Sequence, residues 1–124
     1  MTAHYPGRAV IDSYGAGGFG FAGMSHRGSI IALPSGIYAW TVNPLALTPA
    51  DFSMVIAEKA EIDLFLIGMG PEMARPPKSV RAALEAAGVM YDAMATGHAV
   101  STFNLLLEEK RRVAAALIAV EFGA

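Results

Sequence analysis

The chain has 124 residues, enough for one domain that buries roughly two-thirds of the surface exposed by its unfolded form. Hydrophobic residues make up 54% and charged residues 16%, with a formal net charge of −2. That balance excludes a disordered chain, and basic residues scattered apart from Lys110-Arg111-Arg112 exclude an electrostatic footprint for nucleic acid. The absence of cysteine excludes disulfides, thiolate metal sites and a cysteine nucleophile.

Residues 1–8 read as a loose lead-in with Pro6-Gly7 as breaker, and 9–124 as a single domain. The lead-in has no apolar core of signal-peptide length, and the longest apolar run, Val113 to Val120, is too short to cross a bilayer. The expected location is the cytoplasm, with peripheral contact to the inner membrane open. Ala9 to Tyr14 predicts a first strand and Gly18 to Ala22 a second, with Phe19 and Phe21 on one face. Gly23 to Gly28 reads as a turn, Ser29 to Leu33 as a strand, and Pro34-Ser35-Gly36 as the turn into a strand over Ile37–Thr41.

After Asn43-Pro44 the period becomes helical. Thr48-Pro49-Ala50-Asp51 is a helix start, and Phe52, Val55, Ile56 and Lys59 follow at helical spacing. Ile62 to Gly68 predicts a central strand buried on both faces. Pro76-Pro77 opens a second helix with Val80, Ala83, Leu84 and Ala87 inward, stopped by Gly88. Val89 to Met94 is a short strand. Thr96 caps a third helix that turns Ala99, Val100, Phe103, Leu106 and Leu107 inward, and Arg112 to Glu121 is a last long strand. The alternation predicts a single-domain α/β sandwich with a mixed sheet, about three helices, and the β-rich first third attached to the same sheet.

Four features bear on function. Gly15-x-Gly17-x-x-Gly20 matches the dinucleotide fingerprint letter for letter. Such a loop must open a helix and be followed by an acidic residue about 20 positions on. Here it runs into the alternation Phe19-Gly20-Phe21, and nothing acidic occurs between Asp12 and Asp51, so the glycines read as backbone geometry. Gly68-Met69-Gly70-Pro71 ends the buried strand, where α/β sheets bind ligands, and Arg75, Lys78 and Arg81 follow; the plainer reading is a tight turn. Tyr38 and Trp40 share one strand face, as core or as a binding platform. Asn104 sits at the margin of the third helix's apolar stripe, where its amide needs partners from a neighbouring loop or faces a groove.

Catalytic constellations are thin. His4, His26 and His98 have no neighbour at metal-ligand spacing, and Ser35 lies in Leu-Pro-Ser-Gly rather than a nucleophile elbow. Asp63 and Asp92 belong to predicted strands, where solvation at a strand end is the commoner state. No catalytic residue, metal ligand or cofactor is assigned.

The combination of Tyr14-Gly15-x-Gly17-Gly18-Phe19-x-Phe21, His26-Arg27-Gly28-Ser29, Pro34-Ser35-Gly36-x-x-x-Trp40, Leu66-Ile67-Gly68-x-Gly70 and the run from Thr96 to Leu117 covers nearly the whole chain. It resembles the small domain of unknown function shared by bacterial and archaeal proteins, the animal adipogenesis-associated domain protein and mitochondrial respiratory complex I assembly factor 3. The resemblance implies an α/β domain containing a β-hammerhead. It also implies protein partners: mitochondrial members act in assembling the junction of the complex I membrane arm, and bacterial relatives are often encoded near protein-export components. No enzymatic activity is established for the family as a whole. This chain carries Phe103 where many relatives carry tyrosine. The absence of a mitochondrial targeting extension leads us to expect a bacterial member.

The expectation is therefore a non-enzymatic protein-binding or assembly factor with a partly apolar face, in respiratory-complex or inner-membrane protein biogenesis. The competing class is a small-molecule-binding protein or enzyme using a groove near Gly68, Gly70 and Asn104, with Tyr38 and Trp40 as further candidates. A homodimer that covers its own sheet face is the third.

Overall fold

Two alanine–glycine pairs shape the start of the chain. Ala16-Gly17 and Ala22-Gly23 take positive φ at both residues, 51° and 78° in the first and 51° and 74° in the second. Two-residue turns with that sign of φ match the right-handed twist of the strands they join. In the computed structural model, which describes residues 4–123, they fold the stretch into a meander of β1 (Ile11–Gly15), β2 (Gly18–Phe21) and β3 (Met24–Arg27). The turn expected over Gly23–Gly28 is thus confined to Ala22-Gly23, and Met24–Arg27 is a strand paired with β2.

The next hairpin turns at Pro34-Ser35 between β4 (Ile30–Leu33) and β5 (Gly36–Ala39). Thr48 donates its backbone N–H to Asp51 Oδ2 at 2.8 Å, and a 3-10 turn over Pro49–Phe52 leads into the short α1 (Ser53–Ala57). A second 3-10 turn, Lys59–Glu61, precedes β6 (Leu64–Gly68). α2 (Lys78–Ala86), β7 (Tyr91–Met94), α3 (Thr96–Glu108) and β8 (Val113–Leu117) complete the order.

β4 to β8 form one mixed sheet in the order β5-β4-β8-β6-β7, in which β6 lies parallel to both β7 and β8. The expected single sheet is therefore divided, because the two tight turns let β1, β2 and β3 bond to one another in their own sheet. The larger sheet is the middle layer. On one side Phe52, Val55, Val80 and Leu84 from the α1 and α2 region cover Ile31, Phe65, Ile67 and Ala116. On the other, α3 and the small sheet together cover Ile30, Leu66, Ala115 and Leu117 with Phe103, Phe19 and Phe21. This α/β architecture in one domain agrees with the fold class read from the sequence.

The helices end in matching ways. After α2, Val89 N–H donates to the Leu84 carbonyl and Gly88 N–H to Glu85; after α3, Arg111 N–H donates to Leu106 and Lys110 N–H to Leu107. Both are Schellman closures, which place one residue in the left-handed region. Gly88 takes φ 76° without a Cβ, whereas Lys110 takes φ 62° with one. Thr96 is not the expected cap of α3. Ala95 holds that position, and Thr96 is the first helical residue with its side chain fully buried.

The expected lead-in falls partly outside the described residues, which begin at His4. From there the backbone pairs with the larger sheet: His4 N–H donates to the Ile37 carbonyl at 2.8 Å, and Ile37 N–H to Tyr5 at 2.9 Å. At the other end, the expected strand over Arg112–Glu121 stops at Leu117. The chain then leaves the sheet to bond the first hairpin, where Gly17 N–H donates to Val120 and Ala16 N–H to Glu121.

Candidate functional site

The five residues singled out from the sequence do not gather in one concavity. Tyr38 and Trp40 belong to the core under α1 and α2, at 9% and 6% exposure. Tyr38 Oη shares a 2.6 Å hydrogen bond with Ser35 Oγ, and Ser35 is fixed in turn by both carboxylate oxygens of Glu58. Trp40 donates its indole N–H to the Asp51 carbonyl at 2.8 Å and meets the edge of Phe52 at 5.5 Å. These contacts join the β4–β5 hairpin to the first helical region.

Gly68 and Gly70 lie at the C-terminal end of β6, and Thr96 occupies the space above them. A Cβ on Gly68 would stand 3.0 Å from the Thr96 Cα and from Leu117 Cδ2. Thr96 Oγ1 accepts from Gly70 N–H at 3.0 Å and donates to the Ile118 carbonyl at 2.7 Å, while Thr96 N–H donates to the Gly70 carbonyl at 2.8 Å. One buried hydroxyl thus ties the loop after β6, the start of α3 and the end of β8. Asn104, two turns further along α3, serves a different joint. Its Oδ1 accepts from Ile11 N–H and its Nδ2 donates to the Ile11 carbonyl, both at 2.8 Å.

An open concavity of about 650 Å³ lies instead on the first sheet. Register builds its floor. Gly20 faces Ser13 and Ser25 across the ladder, and Gly18 faces Gly15 and Arg27. Alternation sends these side chains to the outer face, while Phe19 and Phe21 go to the core. The floor is bare at its centre: a Cβ on Gly18 would collide with the His26 carbonyl oxygen, and one on Gly20 would require the Ser13 hydroxyl to rotate away. Arg27 is the single charged side chain among the lining residues, and among the described residues it makes no ion pair. A second concavity of about 370 Å³ adjoins it through His26 and Arg27 and extends to Trp40 and Val42.

His26 lines both concavities. Partial burial holds its imidazole below the usual histidine range, the neighbouring His4 adds to this, and a hydrogen bond to the Ser29 backbone opposes both. The two rings lie 4.5 Å apart. Among the described residues no group of three or more potential ligands could hold a metal ion, and no helix is long and apolar enough to cross a membrane.

The glycine stretch read from the sequence is thus the scaffold of this concavity. Gly15 ends β1, Gly17 sits in a turn and Gly20 lies within β2, so none of the three opens a helix. Sequence reasoning missed the floor because it placed Ser25 and Arg27 in a turn. The usable signal was the repetition of Ala-Gly six residues apart, which marks two hairpin turns and hence a third strand.

Residues 11–118 match the family model described as protein of unknown function DUF498/DUF598. The chain belongs to this family. An uncharacterised protein of Rhodobacter capsulatus is 39% identical over 114 residues, covering 92% of this chain and 87% of that protein. NADH dehydrogenase [ubiquinone] 1 alpha subcomplex assembly factor 3 of mouse is 29% identical over 119 residues; the match takes in 95% of this chain but 64% of the mouse protein. Among solved structures, an outer membrane protein from Bartonella henselae shares 52% identity with a TM-score of 0.91, covering 95% of this chain and all of that one. These likenesses bear out the family resemblance drawn from the sequence.

Proposed function

We propose that this chain is a non-enzymatic binding factor that takes part in assembling a respiratory NADH dehydrogenase. The observation that carries the reading is the likeness to the mouse assembly factor across 95% of this chain, so that the whole described domain is the shared part. The site of action is the cytoplasmic side of the inner membrane, reached through protein partners. Deletion of the gene tests the proposal. Native gels of the membranes are expected to show incomplete NADH dehydrogenase subassemblies and less finished enzyme, restored by the intact gene. A deletion strain with a normal content of finished enzyme overturns it.

A further inference from the structure

The two edges of the small sheet are treated differently. β1 is held by Asn104 and by the terminal segment, where a Cβ on Gly123 would collide with the Tyr14 backbone. β3 is the other edge, and among the described residues no strand pairs with its outer side. Met24, Ser25 and Arg27 are exposed along it. Such an edge offers a row of N–H and C=O groups to any extended chain that reaches it.

The side chains on this edge select what can reach it. Ser25 and Arg27 share the outer face with Gly20, Gly18 and Ser13, so no bulky group stands between the edge and the floor. Arg27 extends from that edge with no carboxylate partner among the described residues. A charge on an edge strand discourages pairing with neutral or basic strands, and this is its ordinary protective role. The same guanidinium favours a strand that brings a carboxylate, which it can grip with two N–H groups.

We propose that the outer edge of β3 receives an extended segment of a partner protein as a fourth strand, with an aspartate or glutamate of that segment paired to Arg27. The inference rests on the protein-binding reading above and gives it a location and a partner chemistry. The bare floor beside β3 leaves room for the large side chains of the incoming strand.

Site-specific crosslinking of the full chain in its own cells tests this, with a photoreactive benzoylphenylalanine replacing Ser25, or Glu85 on α2 at a distance from the small sheet. Sequencing of the linked peptides is expected to show that the Ser25 probe captures a segment containing aspartate or glutamate. Arg27→Glu should lower that capture about tenfold or more. Replacing the captured carboxylate by lysine should restore it, and Arg27→Gln gives an intermediate loss should the reversed charge disturb folding. Capture that is indifferent to both Arg27 variants, or a captured segment without a carboxylate, overturns the proposal. Links from Glu85 alone overturn the location while leaving the protein-binding reading standing, and links from neither position overturn both.

Discussion

The side-chain amide of Asn104 completes the backbone pairing of Ile11, accepting its N–H and donating to its carbonyl, each at 2.8 Å. The joint falls where the β1–β2 register shifts between Ile11 and Ser13. A primary amide presents the same donor and acceptor as a peptide group, so α3 substitutes for a strand at that point. The small sheet is thereby fastened to the helix beside which it covers one face of the larger sheet.

Removing this amide should cost more than a typical surface change. Asn104→Ala leaves both Ile11 groups part-buried without their partner, at about 1–3 kcal/mol. Urea unfolding followed by Trp40, the sole tryptophan, checks it. Asn104→Asp keeps the acceptor but sets a negative oxygen against the Ile11 carbonyl, so its deficit should shrink once acid protonates the carboxylate. Melts indistinguishable from the parent would remove Asn104 from the joint.

Thr96 makes a second test with a conservative control. Its hydroxyl is fully buried between the Gly70 N–H and the Ile118 carbonyl. Thr96→Val preserves shape while leaving both groups unpaired, for a loss of about 1–3 kcal/mol. Thr96→Ser keeps the hydroxyl and should recover most of it. Equal losses in the two variants would show that the methyl group, not the hydrogen bonds, matters here.

Two exposed positions should tolerate improvement. Lys110 and Ala22 take φ of 62° and 51°, and both are exposed. Left-handed backbone costs an L-residue on the order of 1 kcal/mol. Lys110→Gly at the end of α3, and Ala22→Asn ahead of Gly23, should each raise stability by a comparable or smaller amount. Thermal melts of the single and double variants read this directly, and gains should add because the sites are on separate elements. A drop in melting temperature for either would mean its side chain makes a stabilising contact that outweighs the strain.

The His4–His26 contact gives the chain a predictable response to acid. The His26 imidazole is held below its ordinary value, by burial first and by His4 second, so the unfolded chain binds the proton more readily. Its contribution is intact above the ordinary histidine range and is lost as the pH falls through that range to the lower folded value. His26→Gln should flatten the stability profile over that interval, and His4→Ala should flatten it in part. A profile unchanged by either would contradict the coupling.

How far these joints could be read in advance depends on whether their signal is local. The helix and strand order from Thr48 onward follows from caps, prolines and period, and the central burial of Phe65, Leu66 and Ile67 from an unbroken apolar run. The division into two sheets was not legible from alternation alone, since short glycine-rich strands pair equally well in either arrangement. Tyr38 and Trp40 could be placed on a shared face, but only the fold shows that face turned inward beneath Phe52. Thr96 looked like a cap because capping is the common fate of threonine before a helix. Its actual partners, Gly70 and Ile118, are more than twenty residues away. The family signature around Thr96, Gly97 and Asn104 now has a physical reading. Thr96 ties three segments, a Cβ on Gly97 would collide with the Tyr14 hydroxyl, and Asn104 holds Ile11.

The most direct test of the account is to recover this chain, tagged at its gene, from crosslinked cells and identify what comes with it. An assembly factor should carry subunits of a respiratory NADH dehydrogenase in incomplete complexes and be missing from the finished enzyme. Recovery of the chain without any respiratory subunit, under conditions that preserve those subassemblies, would contradict it.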